Sequence, residues 1–247
     1  MKCIMILPCY NEKGNLEQLV PSIDKVLDGL MPYQIIAIND GSSDGTEKIL
    51  LKFSQQYPLK LLEHKTNKGL ACALETGLNE AVQSASDDDL IITMDADNTH
   101  NPRYIPSLIE ASRKADIVIS SRYVKGGKQS GVPLLRIILS RIINKLIKMV
   151  SGIPVDDATS GFRCYRVSLL RKTRKTFDNL IRSKGFEVSF EILLKTYLCN
   201  PRITEVPNTL DYYRKIGRSK VNLVTTVCRY ILFLSKILVW RALGMLK

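Results

Sequence analysis
The sequence predicts an α/β protein with a mostly parallel, doubly wound central sheet. Two observations carry that prediction. Five short apolar runs alternate with longer amphipathic stretches in the first half of the chain, the rhythm of strand–helix–strand units. Polar clusters follow three of those runs, at the edge where open α/β sheets bind ligands. At 247 residues, 45% hydrophobic and 24% charged, the chain can bury a sizeable core in one large domain or two small ones.

The apolar runs lie at 2–7, 35–39, 59–64, 90–95 and 116–120, with amphipathic stretches near 15–29, 46–56, 69–85 and 102–115. Four runs are mostly branched aliphatics, as strands buried on both faces require, and the run at 59–64 is more polar. The glycine-rich loop at 125–132 is the clearest candidate for a mobile connection.

The polar clusters are Cys9-Tyr10-Asn11-Glu12, Asp40-Gly41-Ser42-Ser43-Asp44-Gly45-Thr46 and Asp95-Ala96-Asp97. On one sheet edge they describe a single site assembled from distant sequence. An extended D-x-D lets both carboxylates converge on a hard cation, and Mg²⁺ commonly pairs one or two carboxylates with substrate phosphates. The ordinary alternative is a strand end followed by an aspartate capping the helix near Pro102. Asp44 is expected to cap a helix, whereas Asp40 stands at a strand tip, where a ligand's donors would lie. Asp87-Asp88-Asp89 reads as a solvated loop.

Charge is unevenly placed. Residues 1–120 hold 11 Lys/Arg against 17 Asp/Glu, and residues 121–247 hold 25 against 7. The basic half implies a polyanionic partner: nucleic acid, an anionic membrane or a phosphate-bearing substrate. A nucleic-acid reading finds no aromatic-rich strands or recognition helix beside the charge. Six cysteines without C-x-x-C spacing fit a reducing compartment, and the apolar start before Pro8 is too short for a signal peptide.

Eight stretches in order resemble the inverting family 2 glycosyltransferases of GT-A fold, especially the polyprenol-phosphate (dolichol-phosphate) mannosyl- and glucosyltransferases. They are L-P-C-Y-N-E (7–12), I-N-D-G-S-S-D-G-T (38–46), N-K-G-L-A-C-A-L-E-T-G-L (67–78), M-D-A-D-N-T-H-N-P (94–102), S-R-Y-V-K-G-G (121–127), D-A-T-S-G-F-R (157–163), E-V-P (205–207) and R-K-I-G-R-S-K (214–220). The resemblance implies that Pro8, Tyr10, Glu12, Ile38, Asp40 and Lys68 bind the nucleotide sugar, with Asp95 and the Ala96 backbone near the ribose and diphosphate. It implies Mg²⁺ or Mn²⁺ on Asp97, with Thr99 where the family often has Gln. Arg122, Arg214, Ser219 and Lys220 would hold phosphates, and Arg136 and Ser140, one helical turn apart, would meet a lipid phosphate. The implied donors are GDP-mannose, placed ahead, and UDP-glucose. The sequence departs from the family at Asn39, at Thr99 and at Glu187, which stands where some relatives carry a phosphate-binding Lys; Lys184 is nearby.

Two acceptor classes follow. A polyprenyl phosphate is already anionic and needs positioning rather than a base. A sugar hydroxyl, as in surface polysaccharide or glycolipid assembly, needs a base; Asp157 is that candidate, with loop orientation as its alternative role. His64 reads as structural, and His100 as a neighbour of the site rather than a participant.

No uncharged run reaches ~20 apolar residues, so no conventional membrane span is expected. Two basic amphipathic stretches are expected instead. In 134–150, Arg141, Asn144, Lys145 and Lys148 oppose Ile138, Ile142, Leu146 and Met149. In 221–247, Asn222, Thr226, Arg229 and Lys236 oppose Leu223, Tyr230, Leu234, Ile237, Leu238 and Trp240. Such helices suit an anionic bilayer surface or the domain itself. The expected organisation is a catalytic domain at 1–220 and an interfacial or partner-binding helix at 221–247. Many relatives carry further C-terminal membrane helices, so the expectation is a cytoplasmic protein on the cytosolic membrane face, attached peripherally or held by a small membrane-anchoring protein.

Overall fold
The computed structural model describes residues 1–217, 219–220 and 222–242. In chain order the strands are β1 (Cys3–Cys9), β2 (Tyr33–Asp40), β3 (Leu59–His64), β4 (Leu90–Thr93), β5 (Ile117–Ser121), β6 (Lys128–Ser130), β7 (Arg163–Arg166), β8 (Ile203–Pro207) and β9 (Thr209–Asp211). The helices are α1 (Lys13–Leu27), α2 (Thr46–Ser54), α3 (Leu70–Ser84), α4 (Ile105–Ala111), α5 (Leu134–Ser151), α6 (Val167–Phe177), α7 (Val188–Tyr197) and α8 (Leu223–Ala242). Seven strands form the main sheet in the order β3-β2-β1-β4-β7-β5-β8, all parallel except β7, which runs antiparallel to both neighbours.

β1 shows why this sequence makes a two-faced sheet. Its side chains alternate, so Ile4 and Ile6 enter one core with Ala73 and Leu78 of α3, while Met5 and Leu7 enter the other with Leu16 and Leu19 of α1. α1 buries Leu16, Leu19, Val20, Ile23 and Leu27, an apolar stripe at helical spacing. Pro8 and Cys9, Asp40, and Asp95 to Asp97 consequently emerge at the same edge of the sheet.

Several expectations change. The loop at 125–132 contains β6, which pairs with β9 in a second small sheet. Asp89 is buried and accepts hydrogen bonds from the Lys2 and Ser86 N–H groups, at 2.7 and 2.8 Å, so it ties the start of β1 to the approach to β4. Ile38 lies wholly in the core because strand alternation turns it toward Gly77 of α3 rather than toward the edge.

The two basic helices also differ from their helical-wheel readings. α5 buries Ile143, Asn144, Ile147 and Ser151 and exposes Ile138, Ile142 and Met149, so its expected polar face is partly inward. On α8, Tyr230, Leu234 and Ile237 pack into the core, while Val224, Ile231, Leu232, Leu238 and Val239 face outward with Trp240. Within α8, Leu223–Arg241 is long and apolar enough to cross a membrane; counting uncharged runs missed it because Arg229 and Lys236 interrupt them. Val221 and 243–247, expected in the same stretch, lie outside the described residues.

Gly41 turns the chain after β2. Its φ is +66°, and a Cβ there would lie 2.5 Å from the Asn67 N and Thr66 C atoms. Gly41→Ala should therefore lose about 2–4 kcal/mol of stability from left-handed strain and backbone collision, measured by urea denaturation.

Candidate functional site
A cavity of about 410 Å³ opens at the carboxyl edge of the sheet. β1 contributes Pro8 and Cys9, followed by Tyr10 and Glu12; β2 contributes Asp40; the turn after β4 contributes Asp95, Ala96, Asp97, Thr99 and His100. Arg122 follows β5, and Tyr212, Lys215, Ser219 and Lys220 come from the segment between β9 and α8. A smaller groove of about 190 Å³ adjoins it between α5 and α8. Asp95, Arg122, Gly161 and Tyr212 line both spaces.

Asp97 is held on both sides. Lys215 Nζ donates to Oδ2 at 2.6 Å, and the Thr99 hydroxyl donates to Oδ1 at 2.7 Å. Burial alone would raise the Asp97 carboxyl, but Lys215 and Thr99 outweigh it and hold it below the usual range. Asp95 lacks such support: burial, then the charge of Asp97, push its carboxyl up to about 7. Among the described residues no three His, Cys, Asp or Glu side chains converge as a metal cage. The neighbouring carboxylates nevertheless fit Mg²⁺ or Mn²⁺, because both are hard oxygen donors and the raised Asp95 marks uncompensated negative charge. Thr99 points its hydroxyl at Asp97. His100 is buried, its Nδ1 has no hydrogen-bond partner, and burial lowers its pKa to about 4, so it is neutral at pH 7.

Arg122 and Asp157 form the wall between cavity and groove. Arg122 Nε and Nη2 donate to the two Asp157 oxygens at 2.7 and 2.6 Å, and the Arg122 N–H adds a third bond at 2.9 Å. Asp157 is fully buried. Burial pushes its carboxyl up, yet the Arg122 charge and hydrogen bonds dominate and hold it low. Glu205 accepts from the Asp156 and Asp157 N–H groups at 2.6 and 2.9 Å, which fixes the loop from behind. Each Asp157 oxygen thus already accepts two hydrogen bonds, counting the Thr159 hydroxyl at 3.3 Å.

The other expected residues separate into those at the cavity and those beside it. Asp40 lines the cavity, but its carboxylate is engaged by His64 Nδ1 at 2.7 Å and by the Lys68 and Gly69 N–H groups at 2.9 and 2.8 Å. His64 is thus structural, with an acid partner that sequence separation concealed. Lys68 contributes its backbone here while its side chain points to solvent. Arg214 turns away, donating to the Asn98 O and Oδ1 atoms at 3.2 and 3.0 Å; its neighbour Lys215 occupies the cavity. Lys220 reaches the Glu12 carboxylate and the Tyr10 carbonyl. Arg136 lines the groove and donates to the Tyr212 hydroxyl at 2.9 Å and to Ser219 Oγ at 3.0 Å. Ser140, also in the groove, accepts from the Tyr123 hydroxyl at 2.8 Å. Asp44 accepts from the Thr46 N–H at 2.9 Å as α2 begins, although Gly45 rather than Asp44 stands at the cap position. Sequence reasoning missed Lys215, although it sat inside a quoted motif, and missed Tyr212 and Arg229.

The sheet with a cavity at its carboxyl edge has a GT-A-like fold. The chain belongs to the family described as Glycosyl transferase family 2, whose model matches residues 4–174. It is 35% identical over 243 residues to a dolichol-phosphate mannosyltransferase of Pyrococcus furiosus, covering 97% of this chain and 64% of that protein. It is 32% identical to an undecaprenyl-phosphate mannosyltransferase of Micrococcus luteus, covering 90% of this chain and 88% of that protein. Among solved structures, glucosyl-3-phosphoglycerate synthase from Mycobacterium tuberculosis, in complex with Mn²⁺, UDP and phosphoglyceric acid, shares the fold. Its TM-score is 0.67 at 19% identity, over 95% of this chain and 78% of that one.

Two measurements test this electrostatic account. Asp157→Ala strands the buried Arg122 charge and should cost on the order of 3–5 kcal/mol in denaturant unfolding. For Asp95, folded and unfolded pKa values of about 7 and 3.8 mean that the folded state binds the extra proton between them. Stability therefore falls as pH rises through that window. The gain in Tm of Asp95→Asn over the parent, without divalent ions, should be larger at pH 8 than at pH 5.

Proposed function
We propose that this chain transfers mannose from GDP-mannose to a polyprenyl phosphate, with inversion at the sugar and with Mg²⁺ or Mn²⁺ on Asp97 and Asp95. The observation that carries this reading is the junction of cavity and groove. Leu139 and Ile143 of α5 and Val227 and Tyr230 of α8 make the groove apolar, yet it ends on Arg136, Arg122 and Asp95. An apolar lining with arginines where the groove meets the cavity suits a long hydrocarbon carrying one phosphate. The similarity to polyprenyl-phosphate mannosyltransferases over most of the chain supports the same acceptor and the same sugar. The chain spans less than two thirds of the Pyrococcus protein, so the activity of that whole protein is carried over here as a proposal.

The residues divide the work as charge requires. When bound, the divalent ion supplies positive charge where the nucleoside diphosphate leaves. Tyr10, Glu12 and the turn held by Asp40 shape the nucleotide end, and Lys215, Ser219 and Lys220 can exchange their present partners for phosphate oxygens. Arg136, with Ser140 beside it, orients the lipid phosphate at the face opposite the departing diphosphate. Its oxygen is already anionic, so the attack needs no base and positioning dominates. The fully engaged Asp157 favours this acceptor over a sugar hydroxyl. Residues 1–220 carry the nucleotide end in this reading, and α8 completes the groove and the cavity. The outward apolar rows of α5 and α8, with Arg141, Lys145 and Lys148 nearby, rest on the anionic cytosolic surface of a membrane beside the groove mouth.

The test is a transfer assay with Mg²⁺, pairing radiolabelled GDP-mannose or UDP-glucose with a short polyprenyl phosphate. Label should enter the organic phase from GDP-mannose, and Asp97→Asn should reduce that transfer at least about 100-fold with its Tm retained. Nucleotide binding without lipid labelling from any donor would overturn the lipid acceptor.

A further inference from the structure
Four cationic side chains line the cavity: Arg122, Lys215, Lys220 and Arg229. Three have carboxylate partners, Asp157, Asp97 and Glu12 respectively. Among the described residues the Arg229 guanidinium has no hydrogen bond or ion pair, although the residue is half-buried. A guanidinium turned into a polar cavity without a partner is a donor fork waiting for an anion, and its planar geometry matches phosphate oxygens.

Its position is fixed by chain geometry rather than by a surface accident. Arg229 belongs to α8, and the next residue, Tyr230, is buried and donates its hydroxyl to the Phe186 carbonyl at 3.2 Å. That contact seats the helix on the 185–187 loop. Gly185 leaves the required room, since a Cβ there would fall 1.9 Å from Arg229 Nη1 and 2.6 Å from Glu187 Oε2. Glu187 is itself buried, and its Oε2 makes no hydrogen bond. It lies beside the same Gly185 position without occupying the guanidinium hydrogens. Phe186, under the same residue, lines both the cavity and the groove.

We propose that Arg229 is a phosphate-binding residue of the reaction cavity, delivered by α8 when that helix is seated on the 185–187 loop. The phosphate is either the diphosphate of the nucleotide donor or the monophosphate of the acceptor, and the proposal rests on the glycosyl-transfer reading for the second source only. It also gives α8 a task beyond contact with a membrane, because displacing the helix removes a cation from the site. A lysine at 187, expected from relatives, would place positive charge on the same wall. Here the neighbouring helix supplies it and a carboxylate stands at 187.

The experiment compares the parent with Arg229→Gln and Arg229→Lys in two arms. One arm measures GDP and UDP affinity by calorimetry with Mg²⁺. The other measures kcat and KM for a short polyprenyl phosphate at saturating donor. Arg229→Gln should weaken nucleotide binding or raise the acceptor KM at least about tenfold, the size expected for losing a charged hydrogen-bonded pair. Its Tm should stay near that of the parent, and Arg229→Lys should recover part of the loss. An effect confined to the nucleotide arm assigns the donor diphosphate; one confined to KM assigns the lipid phosphate. Unchanged nucleotide affinity and unchanged acceptor KM would overturn the proposal, as would a fall in Tm that accounts for both losses. If the parent transfers no sugar to any polyprenyl phosphate, the functional reading fails on its own. The nucleotide arm alone then decides Arg229, and unchanged affinity there overturns it.

Discussion
Two carboxylates one residue apart at the end of a buried strand impose the constraint on which the site depends. Asp95 and Asp97 cannot both carry full charge in one cavity without compensation. Lys215 and the Thr99 hydroxyl compensate Asp97 directly, and His100 stays neutral beside them. Asp95 is left with its proton held unusually well. A site built this way is poised for positive charge, and in the proposed reading a cation on Asp97 would free that lysine for a phosphate.

The Arg122–Asp157 pair carries a second structural burden. A buried ion pair is weak evidence for net stability, but here it fixes a wall that two spaces share. Glu205 holds the Asp157 loop from β8, and Thr159 adds a hydroxyl acceptor to Arg122 at 2.8 Å. Asp97 lies in the cavity on one side of that wall, an apolar groove between two helices lies on the other, and Asp95 borders both. In the proposed reading, that common boundary is where the water-soluble and lipid-soluble substrates meet.

Much of this was legible in the linear pattern. The strands ending at Cys9, Asp40 and Thr93 were visible as aliphatic runs closed by polar clusters, because their side chains are buried on both faces. β7 was not visible. Its four residues include Arg163 and Arg166, and nothing local announces that Arg163 will be fully buried with its guanidinium on the Ala158 carbonyl and the Tyr165 hydroxyl. Asp40 was found for its position, but its partners Lys68, Gly69 and His64 were not, since they are brought to it by β3 and the turn that follows.

What the sequence determined alone was the alternation of strands and helices in the first half, the edge where polar groups gather and the family. Those depend on local periodicity and short motifs. Tertiary structure decided which charges are already paired. Arg214 and Lys215 are adjacent and alike in chemistry, yet one is drawn to the Asn98 carbonyl and the other to Asp97. It also decided which faces of α5 and α8 are covered, because a helical wheel shows an apolar side without saying whether a core or open space receives it. Pairing and packing are long-range properties: they depend on where other segments arrive, and no residue carries that information by itself.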